Sequence, residues 1–313
     1  MAILKLQPSY KDYLWGGTRL IHEYNKSFQG EKLAETWELS CHKDGETVIS
    51  NGKETGKTLS SYIAENGYEL LGTNCRKEKE FPILVKMIDA KEDLSVQVHP
   101  DDWYAAQQEG QKGKTEMWYI MDCAKDAFIY YGFSKQISKE EFENRIQNNT
   151  LSEVLQKVYV KKGDALLIES GTVHAIGKNI MVAEIQENSN VTYRIYDYGR
   201  VGKDGQTRKL DIEKALEVTN RNPIVQIESF SPHLVSCDYF TVDKVFLDGI
   251  HMKSLSGFVG QDSFEHILVL DGRGNIQTSD DIQMIQKGDS IFLPAGSGKF
   301  ELEGSIEALI TRV

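Results

Sequence analysis

Residues 162–177 read KGDALLIESGTVHAIG, and residues 287–302 read KGDSIFLPAGSGKFEL. Both open on a Lys-Gly-Asp turn, continue with four mostly apolar residues, and reach a second turn at Gly171 or Gly296. A Gly-Asp turn feeding a short apolar run is hairpin chemistry. A second pair of strings behaves alike: EMWYIMD at 116–122 resembles EHILVLD at 265–271. Two correspondences in the same order indicate a repeated β unit. The expected fold is therefore mainly β, with two similar β-barrels.

The rest of the chain agrees with that reading. FPILVKMIDA (81–90), DAFIYYGF (126–133), IMVAEIQ (180–186) and VTYRIYDYG (191–199) are short, rich in β-branched and aromatic residues, and bounded by turn formers. They do not alternate regularly with helices, which disfavours a doubly wound parallel sheet. A small helical elaboration is expected. One helix starts at Thr58 or Ser60 and stops near Gly72, two short ones start at Ser138 and Ser152, another spans 211–220, and a turn of helix follows Asp101. The Asn222-Pro223 turn places a boundary near residue 225, dividing the chain into units 1–225 and 226–313.

Composition narrows the function. The chain has 313 residues, with 47 acidic against 36 basic side chains and a net charge of −11. A phosphate backbone needs a basic face, so nucleic acid is not an expected partner. No stretch approaches the roughly 18 apolar residues of a membrane span. Four cysteines without a CxxC pair, and N-terminal residues without an apolar leader, fit a reduced cytoplasmic protein.

The chemistry concentrates in the first unit. In LSVQVHPDD (94–102), Gln97 and His99 sit two apart on an alternating run, so both side chains leave one face of a strand. Glu116 follows in GKTEMWYI, and His174 follows the Gly171 turn. Two imidazoles, a carboxylate and an amide oxygen suit one divalent cation such as Zn²⁺, Fe²⁺, Mn²⁺ or Co²⁺. The second unit carries Lys299 in place of His174 and nothing like the Gln97/His99 pair, so it is expected to be degenerate and metal-free. Asp101 and Asp102 are candidates to orient a ligand imidazole. His42 is expected near the pocket, and Trp15 and Trp37 in its wall or in the packing.

YLWGGTRL (13–20), AETWELS (34–40), FPILVKMIDAKEDLSVQVHPDD (81–102), GKTEMWYI (113–120), GTVHAIG (171–177) and EIQENSNVTYRIYDYGR (184–200) together make the chain resemble the type I phosphomannose isomerases, in their short bacterial form. The resemblance runs over essentially the whole chain. It implies two cupin-type jelly-roll barrels and one zinc held by Gln97, His99, Glu116 and His174. It also implies an essential arginine at Arg194 and active-site residues at Lys114 and Glu184. The implied reaction interconverts mannose 6-phosphate and fructose 6-phosphate through a cis-enediol. The large helical insertion of the longer eukaryotic members is missing, and the residues gripping the phosphate cannot be matched one by one. Two His and one carboxylate would also serve a cupin Fe(II) oxygenase, and a non-catalytic sugar-phosphate-binding cupin is the remaining alternative.

Overall fold

The computed structural model describes residues 3–202, 205–225 and 229–313. Its first unit is built from two antiparallel sheets. The six-stranded sheet runs in the order Ala165–Ile168, Glu116–Cys123, Ile180–Glu187, Ile83–Ala90, Glu35–Leu39, Ser9–Lys11. The five-stranded sheet runs Tyr193–Tyr196, Val96–Val98, His174–Ile176, Phe128–Phe133, Leu155–Tyr159.

Strands Ile83–Ala90 and Ile180–Glu187 are buried along their whole length. The period of two explains how one strand serves two environments. Odd positions Val85, Met87, Ala183 and Ile185 join the core that also holds Leu268, Phe292 and Leu309 of the second unit. Even positions Ile88, Val182 and Trp118 pack with Ile129, Tyr131 and Ile176 of the five-stranded sheet. Lys86, Glu184 and Glu116 share that even face. They therefore enter the space between the two sheets, where burying a charge requires a partner.

The repeat read from the sequence is a repeat of register. Ile168 pairs with Glu116 and Ala165 with Tyr119 in the first unit. Leu293 pairs with Glu265 and Ser290 with Leu268 in the second, at the same offsets as the aligned strings. The second unit is one nine-stranded sheet. Its long strands Glu265–Thr278 and Gly298–Arg312 pair with different neighbours along their two halves. Gly272 lies at the point where the neighbours change, with φ +83°. A Cβ there would stand 2.0 Å from the Ser305 carbonyl oxygen, so the crossing needs glycine.

Three expectations need correction or amendment. The helix expected from Ser152 is only a 3-10 turn, Leu151–Glu153, followed by the strand Leu155–Tyr159. Val158 and Tyr159 find ladder partners on Phe128–Phe133, making Leu155–Tyr159 the edge strand of that sheet, which outweighs the local helix signal. We propose keeping the division 1–225 and 226–313 with one amendment. Strands Leu4–Gln7 and Val48–Ile49 belong to the second unit's sheet. The boundary itself abuts residues 226–228, which lie outside the described residues. The helix expected to run to Gly72 ends earlier, as Leu59–Asn66, because Gly67 turns the chain at φ +102° and only a 3-10 turn, Tyr68–Leu71, follows; the helices Lys139–Gln147 and Ile212–Val218 lie where expected, and Thr58 and Ser138 cap the first two of the three.

Candidate metal centre

Cross-strand pairing assembles the site. On the five-stranded sheet, His174 is opposite Gln97, and Gln97 is opposite Arg194. Three strands thus set His174, Gln97 and Arg194 in one row, each a strand spacing of about 4.8 Å from the next. On the facing sheet Glu184 lies between Lys86 and Trp118, and Glu116 is opposite Gln186. Packing the sheets together brings Glu116 between the two histidines.

His99 Nε2 is 3.5 Å from Glu116 Oε2, and His174 Nε2 is 3.5 Å from Glu116 Oε1. The ligand atoms of this trio all lie within 4.8 Å of one another and the residues are buried. The tautomers follow from the backbone. His99 Nδ1 donates to the Val191 carbonyl at 2.9 Å, and His174 Nδ1 to the Thr172 carbonyl at 2.8 Å. A carbonyl only accepts, so both Nε2 lone pairs are left facing the centre. The Gln97 amide joins them, with Nε2 3.3 Å from His174 Nε2. A 180° turn of that amide would present its oxygen instead.

The donor set fits a divalent cation. Neither buried oxygen of Glu116 has a hydrogen bond of good geometry, although the Lys114 ammonium stands 2.8 Å from Oε2. Burial would raise the Glu116 carboxyl, but the Lys114 ammonium beside it holds it well below the usual carboxylate range. Burial, and next the charge of Lys114, pushes His99 down to about 3, and burial lowers His174 as well. The result is an ionised carboxylate facing neutral imidazoles, the protonation state that metal ligation needs.

The other expected residues gather around this centre. Lys114 Nζ lies 3.2 Å from His99 Nε2 and 3.8 Å from Glu184 Oε1. Glu184 accepts from Lys86 Nζ at 2.9 Å and from Trp118 Nε1 at 3.1 Å. Arg194 is half-buried. Its Nε donates to Ser95 Oγ at 3.3 Å and its Nη1 to the Lys209 carbonyl at 3.3 Å. The expected role of Asp101 and Asp102 is overturned. Asp101 caps the helix Asp102–Gln108 by accepting from Tyr104 N at 2.8 Å, and Asp102 accepts from Gly113 N at 2.9 Å. Main-chain carbonyls orient the imidazoles instead.

Lys86 was not among the residues expected at the site. It is 4% exposed, ion-paired with Glu184, and its ammonium sits 5.4 Å from the Trp37 ring. Its signal was a lysine inside the otherwise apolar run ILVKMI, at an even position shared with Ile88. Trp15 lines a cavity of about 390 Å³ with Tyr13, Arg200 and Arg208, a cavity that none of the candidate ligands lines. His42 packs edge-on against Trp37 at 5.7 Å.

Two repeated β units, one of them holding a buried His/Glu/His centre with a flanking arginine, define a double-unit metal-site protein. Comparison with known proteins gives the family. The sequence model "Phosphomannose isomerase type I, catalytic domain" matches residues 3–130, and "Mannose-6-phosphate isomerase, cupin domain" matches residues 231–313. A mannose-6-phosphate isomerase of Bacillus subtilis is 38% identical over 99% of this chain and 98% of its own length. One from Streptococcus mutans is 36% identical over 98% and 96%. The crystal structure of the mannose 6-phosphate isomerase from Bacillus subtilis covers 100% of both chains with a TM-score of 0.91 and 33% identity. A mannose 6-phosphate isomerase solved with zinc and yttrium shares the fold, with a TM-score of 0.76 at 16% identity over 99% of each chain. The chain belongs to the type I phosphomannose isomerase family.

Proposed function

We propose that the protein is a zinc-dependent aldose–ketose isomerase that interconverts mannose 6-phosphate and fructose 6-phosphate. The observation that carries this reading is the convergence of His99, Glu116 and His174, with Arg194 one strand from Gln97, in a chain of this family. His99, His174, Glu116 and Gln97 would hold the metal, which when bound supplies a Lewis acid for the C1 and C2 oxygens. Zinc is the choice because the donor set has no thiolate and a relative of the same fold is described with zinc. The four free thiols fit a reducing compartment such as the cytoplasm.

The protein's own groups then divide the proton transfer. Glu184 takes the proton from C2 of the open-chain sugar as the C2–H bond breaks, and returns it at C1 of the cis-enediol. Its carboxylate is held in place from two sides by Lys86 and Trp118. Lys114 is fixed as a cation between Glu116 and Glu184, where it would offset negative charge developing on the enediol oxygens. Arg194 supplies a second, planar cation at the end of the ligand row. The apolar wall of Trp118, Ile129 and Ile176 excludes water from behind the site.

Zinc-loaded protein incubated with mannose 6-phosphate should form fructose 6-phosphate. Chelation should abolish the reaction and added zinc should restore it. Stoichiometric iron with substrate-dependent oxygen uptake, and no fructose 6-phosphate, would overturn the reading.

A further inference from the structure

The chain leaves the six-stranded sheet after Glu187 and enters the five-stranded sheet at Tyr193, so residues 188–192 cross from one sheet to the other. This turn is held from within. Gln186 Nε2 donates to the Glu187 carbonyl at 2.8 Å and to the Ser189 carbonyl at 2.6 Å. Ser189 N donates to the Glu187 carbonyl at 2.7 Å. Gln186 and Ser189 are both fully buried. A second segment runs alongside the turn. Residues 112–115 lead into the strand Glu116–Cys123, and Glu187 Oε1 accepts from Thr115 N at 2.7 Å.

The Ser189 hydroxyl joins these two segments. Its Oγ donates to the Lys112 carbonyl at 2.8 Å and accepts from Val191 N at 3.3 Å. A carbonyl only accepts and an amide N–H only donates, so a hydroxyl, which does both, satisfies the pair. Beyond each partner lies part of the candidate centre. The Val191 carbonyl accepts from His99 Nδ1 at 2.9 Å and so fixes which imidazole nitrogen faces inward. Lys112 stands two residues before Lys114, whose ammonium is 2.8 Å from Glu116 Oε2 and 3.2 Å from His99 Nε2. One buried hydroxyl therefore ties the turn that orients a candidate ligand to the segment that carries the site's cation.

We propose that Ser189 is a positioning residue, which holds the Val191 carbonyl against His99 and the Lys114 segment against the centre at the same time. The assignment rests on the metal-dependent isomerase reading above and adds to it a residue that acts only through others. Loss of a group that orients a metal-ligating imidazole costs about 10–100-fold in metal affinity or activity. A misplacement of about 1 Å in a reacting group can cost on the order of 10² in rate. Both penalties are available here, because the one hydroxyl reaches the ligand side and the cation side.

The test uses the full chain, stripped of metal and reloaded with zinc. It measures the zinc dissociation constant by competition with a chelator, kcat and KM for mannose 6-phosphate at saturating zinc, and the thermal midpoint of the metal-free protein. Ser189→Ala should raise the zinc dissociation constant by about tenfold and lower kcat by about tenfold, with KM little changed. Ser189→Cys keeps the size of the side chain and a weaker donor, so it should fall between Ser189→Ala and the wild type. It carries the test should Ser189→Ala fold poorly. A lowered thermal midpoint with zinc affinity and kcat at wild-type values would overturn the assignment, because that pattern marks a purely structural role. Wild-type values of every quantity in both variants would overturn it as well. A wild-type chain that binds zinc but forms no fructose 6-phosphate would sink the isomerase reading instead, and the zinc affinity of the variants would still decide the role of Ser189.

Discussion

Glu116 and Glu265 occupy the same register position in the two β units, and their fates differ. Glu116 pairs with Ile168 and Glu265 with Leu293 on equivalent hairpins. Glu116 faces His99 and His174, and Lys114 beside it keeps it ionised in a buried site. Glu265 has no histidine counterpart of this kind. Burial pushes its carboxyl up to about 7, with Arg312 pulling the other way, and its Oε2 has no hydrogen-bond partner. At the position of His174 the second unit has Lys299, which is exposed. The same backbone therefore yields a candidate metal centre only where partners for the carboxylate converge from another sheet. A carboxylate at the right register is not sufficient.

Removing a partner from the first unit should break this contrast most severely. His174→Ala should lose bound zinc and essentially all isomerase activity while remaining folded, since the surrounding core is made by other residues. Metal analysis, circular dichroism and a product assay check this. Arg194→Ala should retain the metal but lose about 10²–10³ in kcat, the usual cost of removing a group that stabilises developing charge. Steady-state kinetics on the metal-verified variant measure it.

Smaller effects sharpen the comparison on the side of stability. Lys86→Met should leave the buried Glu184 carboxylate with only the longer 3.8 Å pair to Lys114, lowering unfolding free energy by up to about 3–5 kcal/mol. Urea denaturation at neutral pH would show the shift. Glu265→Gln tests the second unit. The folded Glu265 carboxyl binds its proton more tightly than the unfolded one, whose ordinary value is 4.5. The wild type thus loses stability from this group as pH rises from about 4.5 through about 7. The variant should match the wild type near pH 4.5 and exceed it by on the order of 2 kcal/mol at about pH 8, with isomerase activity unaltered. Unfolding curves at the two pH values decide it.

Much of the fold was legible because it rests on local chemistry. Lys-Gly-Asp turns and alternating apolar runs specify hairpins, and their repetition specified two units with matched register. The candidate ligands were legible for a related reason, since Gln97 and His99 two residues apart must share a strand face. The Ser152 helix was misread because its sequence supports a turn of helix, while the strand that replaced it depends on an edge offered by Phe128–Phe133.

The amino-acid sequence by itself determined the β class, the repeated strings that share a register, and the types of the candidate ligands. These depend on residue identity and on spacings of a few positions. Only the tertiary structure decided that Leu4–Gln7 joins the far sheet, that Val191 and Thr172 set the histidine tautomers, and that Lys86 is the partner of Glu184. Each of these is a contact fixed by where packed backbones place two groups, and burial makes the pairing obligatory because an unpartnered charge or donor there would be costly.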